Sequence, residues 1–179
     1  MDKHSFRKRC LKKLKSSPLS SRYAKDKKIS LKIEKIIRDI RPKSILFYLP
    51  IGLEANLGTL MHKYRKKSKI FVPFIEEESF KMVDYRLPLE QNSFGIYEPK
   101  AHNLARKNVD LIIVPIIGID KNMQRVGFGK GMYDRFFNKL YKKPVVIFVQ
   151  REACICRKKI CDSYDIQCDY YVTSKETII

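Results

Sequence analysis

Apolar residues recur at helical spacing along the first forty positions and then gather into short unbroken runs. Within residues 2–15 the apolar positions are Phe6, Cys10, Leu11 and Leu14, which share one face of a helix. The stretch from Ser16 to Ser21, with Pro18 in it, breaks that helix. A second helix is predicted to about Asp39. Its stripe of Ile29, Ile33, Ile36, Ile37 and Ile40 faces a core, its other face is rich in lysine, and Pro42 ends it. The runs Ser44–Leu49, Lys69–Phe74, Asp110–Ile116 and Pro144–Val149 are continuously apolar, as expected of strands covered on both sheet faces. Phe80–Tyr85 is a further strand candidate despite poor alternation, and Tyr170–Thr173 a terminal one. Helical stretches are expected from the turn at Pro50–Glu54 to about Lys66 and over residues 132–141. Segment 94–99 reads as a loop. Strands interleaved with helices predict the α/β class, with a mostly parallel open sheet flanked by helices.

A chain of 179 residues with 44% hydrophobic content suits one globular domain, in which residues 1–43 form a basic helical part. No run is long enough to span a bilayer, and the charged N-terminus has no apolar block behind it; the expected location is the cytoplasm. The net charge of +19 alters the picture more, with sixteen Lys and Arg against four Asp and Glu in residues 1–43. Such an excess attracts polyanions, whether nucleic acid, anionic lipid, nucleotides or a polyglutamylated cofactor, and surface lysines also serve solvation alone. The aromatics lie mostly inside apolar runs, which counts against an RNA reader with rings on an exposed sheet face. Cysteines stand at 10, 154, 156, 161 and 168. They lack the paired knuckles of a zinc site, and a cytoplasmic location makes buried free thiols the expectation.

Candidate chemistry concentrates in Arg125 to Arg135, which holds Gly127, Gly129 and Gly131, three of the seven glycines. Alternating glycines allow φ > 0 and close approach to a ligand, and a turn built this way aims N–H groups into one concavity ahead of a helix. Arg125 and Lys130 add charge for phosphate oxygens, and Asp134 could hold a divalent cation. The spacing is neither a Walker A loop nor a dinucleotide fingerprint. Lys3 and Arg7 project from one helix face, either as a solvated basic surface or toward phosphates. Glu54 stands near a helix start, where the dipole favours a carboxylate in any case.

The run Pro115-Ile-Ile-Gly-Ile-Asp120, followed by Arg125 to Arg135, resembles the signature of the 5-formyltetrahydrofolate cyclo-ligase (methenyltetrahydrofolate synthetase) family. Lys3-His-Ser-Phe-Arg7, the Tyr-Leu-Pro segment leading to Glu54, and Phe94-Gly-Ile-Tyr-Glu98-Pro99 resemble three more of its segments, so the resemblance spans nearly the whole chain. It implies a Rossmann-like three-layer fold and ATP- and Mg²⁺-dependent conversion of 5-formyltetrahydrofolate to 5,10-methenyltetrahydrofolate. By this resemblance ATP is held by Lys3, Arg7, Arg125, Val126, Gly127, Phe128, Gly129, Lys130, Gly131, Met132 and Tyr133. The folate is held by Leu49, Glu54 and residues Phe128 to Met132, and Mg²⁺ by Asp134 and Asp165, with Asp169 as the competitor for the second place. The implied partner is a small molecule, with or without a polyglutamate tail, and the expected state is a monomer. Two positions depart from the pattern: Met123 replaces a usual glycine, and Met132 replaces the first of two aromatics. Segment 150–164 also lacks the usual proline. Another nucleotide- or phosphosugar-handling enzyme of similar fold and a basic nucleic-acid-binding module are the alternatives.

Overall fold

The apolar runs lie side by side as parallel strands in the computed structural model, which describes residues 2–93, 95–100 and 105–179. Along the chain the elements are α1 (Lys3–Lys15), α2 (Arg22–Ile40), β1 (Ser44–Leu46), α3 (Gly58–Tyr64), β2 (Lys69–Glu76), β3 (Ser79–Asp84), β4 (Leu89–Gln91) and β5 (Tyr97–Pro99). Then come β6 (Leu111–Pro115), β7 (Gly118–Ile119), β8 (Arg125–Val126), α4 (Met132–Phe137), β9 (Val145–Val149), β10 (Tyr170–Val172) and β11 (Thr177–Ile178). Seven strands form one sheet in the order β11-β10-β9-β6-β1-β2-β3. The five inner strands are parallel, and the edge strands β3 and β11 run antiparallel. The remaining strands make two small hairpins, β4 with β5 and β7 with β8.

Alternation along the strands explains the layers. Ile45, Leu111, Ile113, Ile147 and Val149 face the isoleucine stripe of α2 together with Leu60 and Met61 of α3. Their neighbours Leu46, Ile112, Val114, Val146 and Phe148 point the other way, toward Phe136 of α4. Each fully buried Ile or Leu contributes about 1.5–3 kcal/mol. Phe80–Tyr85 alternates poorly because β3 is covered on both sides: Val83 joins the first cluster, Phe80 and Met82 the second. Side chains also set the strand register. The Asp110 carboxylate accepts from the Lys43 and Ser44 amides at 2.8 and 2.9 Å, which aligns β1 with β6.

The elements differ from expectation mainly at their ends. The apolar run from Ser44 leaves the sheet after Leu46, and Phe47 to Leu49 stay buried as they approach the site. α3 begins at Gly58 rather than near Glu54, and α4 stops at Phe137 and continues only as turns, with Lys139 and Leu140 bonding three residues back. Segment 94–99, read as a loop, contains β5; Phe94 itself lies outside the described residues. α1 opens on an Asp2 cap, whose carboxylate accepts from the Ser5 amide at 2.9 Å. It packs Phe6 and Cys10 against Ile117, Val126 and Cys156. Here the expectation of free thiols is corrected. Docking α1 beside the segment after β9 brings the Cα atoms of Cys10 and Cys154 to 5.8 Å, and the two form a disulfide. Cys156, Cys161 and Cys168 are free and buried.

Candidate active site

The chain leaves the C-terminal ends of β1, β2 and β6 around one cavity of about 400 Å³, the edge at which open α/β sheets bind ligands. Tyr48 and Leu49 beyond β1, Pro73 and Ile75 of β2, Ile96 and Pro115 give it an apolar wall. Its polar groups are few: Glu54 on the segment before α3, and Arg125, Lys130 and Tyr133 on the glycine loop and the start of α4. Phe128, Gly131 and Met132 complete that side, with the Phe128 ring 48% exposed.

The loop owes its shape to Asp120. Burial raises the pKa of this carboxyl, but the Asn122, Gln124, Cys161 and Ile160 amides all donate to it and hold it below its ordinary range. The turn so fixed delivers Arg125 into the protein, where its Nη2 donates to the Pro115 carbonyl at 3.2 Å and its guanidinium lies 4.8 Å from the Tyr133 ring centre. Its buried Nε has no hydrogen-bond partner among the described residues. A Cβ on Gly127 would stand 2.4 Å from Arg125 Nη1, so a larger residue there would displace the guanidinium from this position. Gly131, at φ 63°, is the cap from which α4 departs.

α1 closes the loop from its other side. Arg7 Nε donates to the Gly127 carbonyl at 2.7 Å, and the guanidinium carbon would be 3.6 Å from a Cβ on Gly129. Lys3 is paired with Asp165 and, at 3.4 Å, with Asp162. Asp134 reaches the residue after Asp165: Ile166 N donates to Asp134 Oδ1 at 3.5 Å, while the Ile166 carbonyl accepts from Arg125 N at 2.8 Å. Asp169 is engaged elsewhere, accepting from the Val146 amide at 2.8 Å. Asp165 Oδ2 is already engaged by Lys3 and by the Asp162 amide; as a donor set, two carboxylates suit Mg²⁺, which takes one or two carboxylates and fills its octahedron with phosphate oxygens and water. Among the described residues no three His, Cys, Asp or Glu side chains gather into a closed metal cage.

Glu54 faces the loop across the cavity. Desolvation raises its pKa to about 7, against the Ile51 amide, Arg125 and Arg151, all of which favour the charged form. Of the residues named from sequence, Leu49, Glu54, Arg125, Phe128, Lys130, Gly131, Met132 and Tyr133 line the cavity. Gly127 and Gly129 belong to the same loop, Arg7 touches it from behind, and Lys3, Asp134 and Asp165 lie outside the cavity lining. The fully buried side chain of Val126 packs with Phe6 under α1. Tyr48, Pro73, Ile75 and Ile96 were missed. The apolar surroundings of Tyr48, Pro73 and Ile75 read as core, and Ile96 fell in a segment read as a loop; only the fold brings all four to the cavity wall.

A model of the 5-formyltetrahydrofolate cyclo-ligase family matches residues 1–174. The chain belongs to that family. The 5-formyltetrahydrofolate cyclo-ligase of Mycoplasma pneumoniae is 26% identical over 184 residues, spanning 98% of this chain and 100% of its own. The Mus musculus protein of the same name is 27% identical over 71% of each chain. The solved structure of Aquifex aeolicus 5,10-methenyltetrahydrofolate synthetase superposes with a TM-score of 0.84 at 27% identity, covering 99% of this chain and 92% of that one. The Mycoplasma pneumoniae synthetase structure, at 22% identity, shares the fold with a TM-score of 0.75 over 96% of this chain and 98% of its own. A member of this family is an enzyme of the ligase class. The chain's departures at 123 and 132 now have structural settings. Met123 holds φ at 57°, the left-handed region that glycine adopts without strain, and its carbonyl still accepts from the Cys168 amide at 3.2 Å. Met132 lines the cavity and packs with the α4 cluster, keeping apolar contact without a ring face.

Proposed function

We propose that the protein converts 5-formyltetrahydrofolate to 5,10-methenyltetrahydrofolate at the expense of ATP, releasing ADP and phosphate. The observation that carries this reading is one cavity with a carboxylate on one wall and a cationic glycine loop on the other, closed behind by α1. Glu54 accepts from the pterin amide N–H and amino group, and Leu49, Tyr48 and Ile96 cover the ring system. Phe128, Gly131 and Met132 hold the folate against the loop. Lys3, Arg7, Arg125, Lys130 and the backbone amides of 127–131 hold the phosphates of ATP. Asp134 and Asp165 would hold Mg²⁺, which would offset phosphate charge.

A formyl group on nitrogen is a poor electrophile with a poor leaving oxygen. Its oxygen attacks the γ-phosphorus and ADP departs, leaving an imidate phosphate. N10 then attacks the activated carbon, its proton is lost, and phosphate leaves with the former carbonyl oxygen. The protein's contribution is alignment and charge stabilisation, with the apolar wall keeping water from the activated carbon. The residues given these roles all belong to one chain, and the reading is of a monomer.

The test mixes the protein with 5-formyltetrahydrofolate and Mg-ATP and follows methenyl absorbance in the near ultraviolet. The wild type turns over, and Asp134→Asn and Lys130→Ala each lose about 100-fold or more in kcat/KM, the scale of removing a group that stabilises charge in the transition state. Turnover in both variants equal to wild type would show that the loop is wrongly assigned.

A further inference from the structure

We propose that the buried Asp26–Arg151 pair is a positioning device for folate recognition, fixing the Glu54 carboxylate by gripping the chain on both sides of it. The inference rests on the cyclo-ligase reading of the cavity. Asp26 lies in α2 and Arg151 two residues beyond β9; both are buried, and neither lines the cavity. The guanidinium meets the carboxylate as a fork, Nε to Oδ1 at 2.7 Å and Nη2 to Oδ2 at 2.8 Å. Its third arm, Nη1, donates to the Leu53 carbonyl at 3.1 Å, and Asp26 Oδ2 also accepts from the Asn56 amide at 3.1 Å. Leu53 and Asn56 bracket Glu54 and Ala55. The Ala55 carbonyl is held in turn by the Tyr48 hydroxyl at 2.6 Å. Arg151 is itself tied down, its carbonyl accepting from Ser174 Oγ at 3.0 Å just past β10.

Stability alone does not explain such a pair, since a buried ion pair about breaks even against well-packed apolar residues of the same volume. What an apolar pair could not do is hold the backbone of residues 53 and 56. That backbone precedes α3 and has no helix or strand bonds of its own, yet it carries the carboxylate that faces the loop. The fork fixes where the guanidinium points, and its third N–H passes that direction to Leu53. Asp26 and Arg151 act through the segment they hold, without touching the substrate.

Two variants test this: the apolar double substitution Asp26→Leu with Arg151→Met, and Arg151→Lys, which keeps the charge but loses the fork. The readouts are the Kd for 5-formyltetrahydrofolate by calorimetry without ATP, the KM for Mg-ATP, the thermal melt, and hydrogen exchange over 51–57. In the double variant the melt stays close to wild type and the ATP KM within about twofold. Folate Kd rises about tenfold, the scale of losing one or two orienting hydrogen bonds, and exchange over 51–57 quickens. Arg151→Lys shows the same split at smaller size, and it carries the test should the double variant not fold. An unchanged folate Kd, or equal losses for folate and ATP in a folded variant, overturns the proposal. Failure of the wild type to bind the folate would instead remove the cyclo-ligase reading, while exchange over 51–57 would still report whether the pair holds that segment.

Discussion

In the proposed reading, the single side chain of Glu54 carries both recognition and pH dependence. Desolvation raises its pKa from 4.5 to about 7, so the cavity holds a carboxyl that is half protonated near neutrality. Only the ionised form offers two acceptors to the two donors of a pterin edge. Folate affinity is therefore expected to weaken about tenfold for each pH unit below 7 and to level off above it. Calorimetric titration without ATP from pH 5.5 to 8.5 measures that slope. Glu54→Gln, with one acceptor in place of two, binds about 10–100-fold more weakly and loses the slope; a slope that survives in the variant removes Glu54 from the assignment. The same shift has a stability consequence. Between pH 4.5 and 7 the folded chain binds more protons at this site than the unfolded chain does. The contribution of Glu54 is thus fully present below 4.5 and lost as the pH rises through 7. Melting curves of wild type and Glu54→Gln should therefore diverge in favour of the variant toward pH 8.

At the scale of elements, the site depends on how closely α1 lies against the glycine-loop hairpin. Gly118 of β7 is the contact that decides this, since a Cβ there would stand 2.8 Å from both the Cys154 carbonyl oxygen and the Phe6 ring. The backbone carbonyl cannot rotate away, so Gly118→Ala must push α1 outward, and Lys3 and Arg7 move with it. Overpacking of this kind costs about 1–3 kcal/mol. The expected result is a lower melting temperature together with a raised KM for ATP and little change in folate Kd. Wild-type KM for ATP in this variant would separate α1 from phosphate binding. Sequence periodicity anticipated α1, α2 and the inner strands because their apolar residues repeat at the spacing of the face they cover. It could not anticipate β11 or β5, which are two and three residues long and held by pairing partners that only the fold supplies. The Cys10–Cys154 bridge was hidden for a similar reason, its cysteines being 144 residues apart with no shared motif. Glycine spacing and charge made the loop legible; Asp26 and Arg151 gave no such signal, one lying among the lysines of α2 and the other in a segment without a pattern.

For the molecule as a whole, a net charge of +19 accompanies a site whose two proposed substrates are both anionic. Charges at a distance act on encounter and loose binding more than on the chemical step, and they are screened within about 10 Å at 0.1 M salt. kcat/KM for ATP should then fall several-fold between low and about 0.5 M ionic strength while kcat holds, a signature of the field rather than of any one contact. Removing charge outside the cavity lining separates the field from the contacts. Lys27, Lys28 and Lys35 are exposed on α2 and do not line the cavity, and reversing all three to Glu removes roughly a third of the net charge. The triple variant is expected to keep the wild-type melt and kcat, to show a lower kcat/KM for ATP at low salt, and to merge with the wild type at high salt. Superimposable salt curves for the two proteins would mean that the lysine-rich face of α2 serves solvation alone, leaving substrate attraction to the handful of cations that line the site.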